Sequence, residues 1–319
     1  MSESAGRKAV LAAFFANLAI AITKFFAAFI SGSAAMLAEA VHSVADTLNQ
    51  LLLLAGAKRA KKAPDKDHPF GYGRVRYLYA FVVAVVLFSV GGVFSIFEGI
   101  SKFREPHTIE MWWIPIVVLV VAIIIESFSI RVAIRESRPL KGDKSWWEFV
   151  KTSKSPELPV VLFEDAAALV GLVFALFGVG LTVITGNGLF DAVATILIGL
   201  LLIVVAMVLV IEVSSLLVGE GANEKDLSAI EAAFLNTRGV DRIIHMKTLY
   251  MGPDEMMVGA KISISAEKKV REVAAIINVA EAKVRSAVPH AKTIYVEPDV
   301  WRDPTEIPLT EEIVLLSSD

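Results

Sequence analysis

A chain of 319 residues is long enough for about two domains. Apolar residues make up 55% of it, charged residues 20%, and mean hydropathy is +0.62, which excludes a disordered, collagenous or nucleic-acid-binding chain and points to a membrane protein. With no cysteine there are no disulfides, thiolate ligands or Cys nucleophiles, so any metal is held by nitrogen and oxygen. The formal net charge of -3 is too small to imply a partner.

Crossing a bilayer takes roughly 20 apolar residues at about 1.5 Å each. Six segments meet that length, near 9–30, 33–56, 77–100, 112–134, 159–184 and 190–214. The first is too long for a cleaved signal peptide and runs on through Ser31-Gly32-Ser33 into the second, so it is expected in the mature chain. Lys and Arg crowd the N-terminus, the 57–76 loop and the 135–158 loop, while the opposite loops hold only Lys102 and Arg104. That bias places both termini in the cytoplasm. The absence of a long N-terminal extension favours a bacterial inner membrane over an organelle.

After Glu220 the composition becomes that of a soluble domain. Asn223 is a helix cap for a run to about 236, and two β-rich runs, 241–251 and 256–265, flank the turn signal Gly252-Pro253-Asp254. An amphipathic helix over 267–287 and a strand at 292–296 complete an α-β-β-α-β order. The expected division is a six-helix membrane domain over 1–215, a cytoplasmic α+β domain of ferredoxin-like type over 216–299 with both helices on one face, and a tail over 300–319.

Ionisable side chains in hydrocarbon cost at least about 2.5 to 3.5 kcal/mol, so each one inside a span is a functional candidate. Glu39, His42, Asp46 and Asn49 follow spacings of 3, 4 and 3 and share one helical stripe. His42 and Asp46, one turn apart, can place two ligand atoms on one ion. The fifth span adds Glu164 and Asp165 at a depth that overlaps that of Asp46. A site of His42, Asp46, Asp165 and a fourth oxygen suits zinc and leaves manganese, iron and cobalt open. Glu39 reads as the lining of a wet vestibule. Glu98 and Glu126, near span ends, read as snorkelling or inter-helix pairs, and Ala167, Gly171 and Ala175 read as a close-packing face.

The six spans, "SGSAAMLAEAVHSVADTLNQ", "HPFGYGRVRYL", "FEDAAALVG" and the terminal α-β-β-α-β domain resemble the cation diffusion facilitator family of zinc-proton antiporters, over residues 8–299. The resemblance is greatest to the branch that includes the mitochondrial zinc transporter and its bacterial relatives. It implies a four-ligand site built from two i, i+4 pairs. His42 and Asp46 match the first pair and Asp165 the second member of the other, but its partner position is Val161. Glu164 is the expected replacement, with water as the alternative. Three carboxylates this close cannot all stay ionised without metal, so the empty site is expected to hold protons, which gives metal-proton exchange a physical cause.

The family's loop pattern DxxHxFGHGKxE is only partly kept in "DKDHPFGYGRVR", where Asp65, Asp67 and His68 are expected to order a turn beside Pro69. In the terminal domain Lys261 and Tyr295 stand where the family often has histidines, leaving His245 and His290 as isolated structural residues. The resemblance therefore implies a homodimeric efflux antiporter whose partners are a divalent metal ion, protons and the lipid bilayer. It has zinc as substrate, no organic cofactor and no nucleic acid. An intramembrane metalloenzyme is disfavoured because the chain lacks an HExxH helix and any evident nucleophile. A membrane metal sensor or scaffold that binds without transport is the remaining alternative.

Overall fold

The computed structural model describes residues 18–106, 109 and 111–302. The start of the expected first span and the end of the tail lie outside the described residues. The chain divides into two units, Met1–Val218 and Gly219–Asp319.

The first unit is helical. Helix α1 is described over Leu18–Ser31 and turns sharply into α2, Ala34–Ala60, at Gly32, whose φ of 67° is a left-handed conformation that a side chain would strain. Ser33 caps α2, its hydroxyl accepting from Met36 N at 3.1 Å. Helix α3 spans Val75–Arg104, with a π-helical stretch over Leu87–Val93. There follow α4 (Trp113–Lys141), a short α5 (Trp146–Thr152), α6 (Glu157–Thr185) and α7 (Leu189–Val218). Four of these, Val75–Arg104, Trp113–Pro139, Pro159–Thr185 and Leu189–Val218, are long and apolar enough to cross a membrane among the described residues. Helix α2 has 27 residues, ample for a bilayer, but its polar stripe lowers its mean hydropathy.

Helix α7 packs along α6 and α3, α4 packs on α6, and α2 touches α3, α6 and α7. The α3–α7 contact is close because glycine lines it from both sides. A Cβ on Gly92 would lie 3.3 Å from the Gly199 carbonyl oxygen, and one on Gly199 would lie 2.8 Å from that of Gly92. Leu87, Leu119, Leu172 and Leu202 fill the interior. Phe29, Phe128, Phe177 and Ile211 stand exposed on the outside, as expected of a surface that meets acyl chains rather than water.

Asp191, in the first turn of α7, ties the bundle to the start of α2. Its buried carboxylate accepts from Ser33 Oγ at 2.7 Å, Ala34 N at 2.6 Å and Ala35 N at 3.3 Å. Those backbone N–H groups have no partner within the helix, and the negative group also suits the positive end of its dipole.

The second unit runs α8 (Glu224–Leu235), β1 (Arg242–Gly252), β2 (Glu255–Ser263), α9 (Val270–Ala287) and β3 (Ala291–Asp299). Strands β1 and β2 pair antiparallel, and β3 adds to β2 in parallel with α9 as the crossover. This is a ferredoxin-like arrangement without its first strand. Ile230 and Phe234 of α8 and Val284 of α9 share a core with Met256, Val258 and Ile262 of β2. The Asn223 side chain accepts from Asp226 N at 2.9 Å, so the cap expected from sequence forms.

Two outcomes are expected from this framework. Asp191→Ala strands a hydroxyl and two N–H groups inside the bundle and should destabilise the protein by about 2 to 4 kcal/mol, read as a fall in the unfolding temperature of detergent-solubilised protein, with Asp191→Asn losing less. Phe234→Ala should cost about 3 to 5 kcal/mol in chemical denaturation of the second unit within the full chain.

Candidate metal centre

Helix α2 delivers its polar stripe to the bundle interior: Glu39, His42 and Asn49 are each at most 1% exposed. Asp46, Glu164 and Asp165, with Glu126 and Ser129 of α4 and Lys24 of α1, line one cavity of about 70 Å³, room for one or two waters.

Asp46 and Glu164 face each other, carboxyl to carboxyl, across the α2–α6 interface, a contact that one shared proton would turn into a hydrogen bond. Asn49 Nδ2 donates to Glu164 Oε1 at 2.6 Å and holds it toward α2. Asp165, one residue later, is turned about 100° around the helix, where it accepts from Ser129 Oγ at 2.9 Å. Val161, one turn before Asp165, presents an apolar side chain to the same cavity.

His42 Nδ1 lies 3.4 Å from Asp46 Oδ1, yet neither ring nitrogen makes a hydrogen bond among the described residues. The ring is off the cavity wall and close to α3, where a Cβ on Gly91 would sit 3.9 Å from Nδ1. Of the four residues expected as ligands, the structure brings Asp46 and Glu164 together, sets His42 beside Asp46, and turns Asp165 toward α4. Among the described residues no three His, Asp or Glu side chains close on one point. Binding one ion with all four therefore requires Asp165 to leave Ser129 and the imidazole to turn toward the cavity.

Three features lie beyond the sequence reading. Glu126 is on the cavity wall beside Asp165, not at a wet span end. Lys24, absent from the sequence candidates, is 4% exposed and pairs with Glu39 Oε2 at 3.2 Å. A charge in the middle of the first apolar span was the signal that could have found it. Glu39, fully buried, lines no vestibule, and Gly171 serves it rather than packing alone: a Cβ there would come within 2.8 Å of Glu39 Oε1.

Outside the bundle, Asp65 receives Lys62 Nζ at 2.7 Å, Tyr72 OH at 2.6 Å and His68 N at 2.9 Å. Lys62 first, then Tyr72 and the backbone, hold its carboxyl well below the usual carboxylate range. The cluster orders the turn, as expected, and the acid's oxygens are engaged within it. In the second unit His245 pairs with Lys261 in the strand register, and the Lys261 ammonium lies 3.0 Å from both Glu297 and Asp299. His290 is not isolated: its Nε2 lies 3.1 Å from Asp226 Oδ2 and 3.2 Å from the Tyr250 hydroxyl. Burial, then the Asp226 charge, push Tyr250 up to about 12.

Comparison with known proteins agrees with this picture. Residues 10–218 match the cation efflux transmembrane domain. The human mitochondrial protein named proton-coupled zinc antiporter SLC30A9 is 30% identical over 266 residues, 83% of this chain and 47% of that one. Metal tolerance protein C4 of Arabidopsis thaliana is 28% identical over 85% of this chain and 60% of its own. Magnetosome protein MamM of Paramagnetospirillum magneticum is 26% identical over 94% of this chain and 92% of its own. The chain spans about half the length of the zinc antiporters it matches. A family match across nearly two thirds of the sequence, on a bundle of apolar helices with acids at its centre, shows that the chain belongs to the cation efflux family of membrane transporters, the cation diffusion facilitators.

Proposed function

We propose that the protein exports a divalent metal ion, zinc first, from the cytoplasm in exchange for protons. It would do so as a homodimer whose protomers each span a bacterial inner membrane six times, with both termini cytoplasmic and the α+β domain, about residues 216–299, as the dimerising unit. The six spans are the four long apolar helices with α1 and α2. Manganese, iron and cobalt are alternative cargoes, and no enzymatic activity is assigned.

The observation that carries this reading is the Asp46–Glu164 contact beside His42. Two acids that share a proton in a buried cavity must give that proton up to bind a doubly charged ion, and regain it when the ion leaves. On this reading His42, Asp46, Asp165 and Glu164 bind the ion from the cytoplasmic side, with Asp165 turning off Ser129. Alternating access then exposes them outward, where protonation releases the metal and the inward proton gradient drives the cycle. The names of the zinc antiporter relatives support zinc over the other ions.

Purified protein in vesicles carrying a zinc dye, under an imposed pH gradient, tests the assignment. Asp46→Ala or Asp165→Ala should lower zinc flux at least tenfold, an equilibrium or rate change of about 1.4 kcal/mol. Wild-type flux in either variant overturns the site. Glu164→Gln, which keeps the shape and removes the charge, should weaken zinc binding by about tenfold in calorimetry. Unchanged affinity there would hand the fourth position to water. Zinc entry should also be accompanied by proton exit that a protonophore decouples, and zinc binding without flux would favour a sensor or scaffold.

A further inference from the structure

Lys24 places a full positive charge inside the membrane unit, an expensive arrangement unless the charge is paired and used. Its Nζ lies 3.2 Å from Glu39 Oε2 and donates to Ser43 Oγ at 2.7 Å. Glu39 and Ser43 are one turn apart on α2, offset by three residues from the His42 and Asp46 pair. Lys24 is the only basic side chain on the wall of the cavity among the described residues, and its charge acts on Asp46 and Glu126 as well as on Glu39. The second Glu39 oxygen, Oε1, is buried and makes no hydrogen bond among the described residues, and it faces the bare backbone at Gly171. An ammonium thus occupies a place bounded by two oxygens where a cation is already welcome.

We infer that Lys24 is a tethered counter-cation that sets how tightly the transported ion is held: by engaging Glu39 it keeps that carboxylate out of the metal site, and by repelling the ion it speeds release. The inference rests on the transport reading above and adds a positioning residue to it. Conduction through any carrier needs binding strong enough to load and weak enough to unload, and a fixed positive charge at the cavity wall lowers affinity without removing a ligand. Without Lys24, Glu39 stands one turn from His42 with no ammonium to hold it, able to exchange a proton for an arriving metal ion as an added ligand.

The effect is therefore a gain in affinity with a loss of turnover, which a merely structural lysine would not produce. Zinc binding to the purified full-length protein by calorimetry, and zinc flux in vesicles, are compared for Lys24→Gln, Lys24→Arg, Glu39→Gln, the Lys24→Gln/Glu39→Gln double variant and Asp46→Ala. Lys24→Gln should bind zinc about tenfold more tightly and transport with both a lower KM and a lower maximal rate. Lys24→Arg, which keeps the charge, should stay near wild type. Glu39→Gln should bind zinc more weakly, since the ammonium is then uncompensated, and the double variant should return toward wild-type affinity. Equal or weaker zinc binding in Lys24→Gln, or a double variant no nearer wild type than Lys24→Gln, overturns the inference. Should Lys24→Gln not fold, Glu39→Gln decides: weakened binding supports the counter-cation and unchanged binding overturns it. Asp46→Ala separates the two levels, because wild-type zinc affinity there refutes the site itself, whereas lost affinity there with an unmoved Lys24→Gln refutes only the role of Lys24.

Discussion

A carboxylate removed from water must find a cation, a proton or several hydrogen bonds, and this membrane unit buries Glu39, Glu164 and Asp191 and half-buries Asp46, Glu126 and Asp165. Each meets the demand differently. Asp191 takes three donors at the start of α2, which makes it a fixed joint. Glu39 takes an ammonium. Asp46 and Glu164 face each other, with Asn49 donating to Glu164. The first two solutions are fixed by the chain's own donors, whereas Asp46, Glu164 and Asp165 border the free space of the cavity. The apolar exterior then follows from the same constraint, since a bundle that keeps its charges inside has only hydrocarbon to show outside.

Much of this was legible in the sequence, and the reason is periodicity. A stripe of Glu39, His42, Asp46 and Asn49 among Ala, Val and Leu can face one way only, and the structure buries Glu39, His42 and Asn49 accordingly. The phase of α6 was harder to read. Glu164 and Asp165 are neighbours, and sequence spacing does not say which of them meets α2. Contacts between helices decide that: Asn49 on one side and Ser129 on the other each hold one acid. Glu126 was misread because distance from a span end measures depth and not direction, whereas its position on α4 turns it toward Asp165. The partners of Lys24 lie 15 and 19 residues away, so its charge inside an apolar span marked it in sequence while no local pattern marked what it pairs with.

The second unit was more transparent. Its caps and turns are local: Asn223 closes its own helix, and Pro253-Asp254 closes the β1–β2 hairpin between Gly252 and Glu255. Strand and helix limits accordingly fall within a few residues of those expected. What local signals do not carry is the side-chain company of His290, which meets Asp226 and Tyr250 from elements far apart in sequence. Isolation along a chain is no guide to isolation in space.

The π-helical stretch Leu87–Val93 bears on how the site could change shape. Its winding adds a residue to a turn, weakens the regular backbone ladder and sits where two demands on α3 meet. Gly92 must approach the backbone of α7 closely, and Gly91 packs on Leu202, where a Cβ would come within 3.2 Å, with the His42 imidazole just beyond. A regular α-helix advances about 100° per residue and would place these neighbouring glycines at fixed, wider angles. The irregular turn thus forms the wall next to His42, while Asp191 ties α7 to the start of α2 at the other end. The imidazole, already 3.4 Å from Asp46, is therefore bordered by the π-helical stretch of α3, the only such stretch among the described residues.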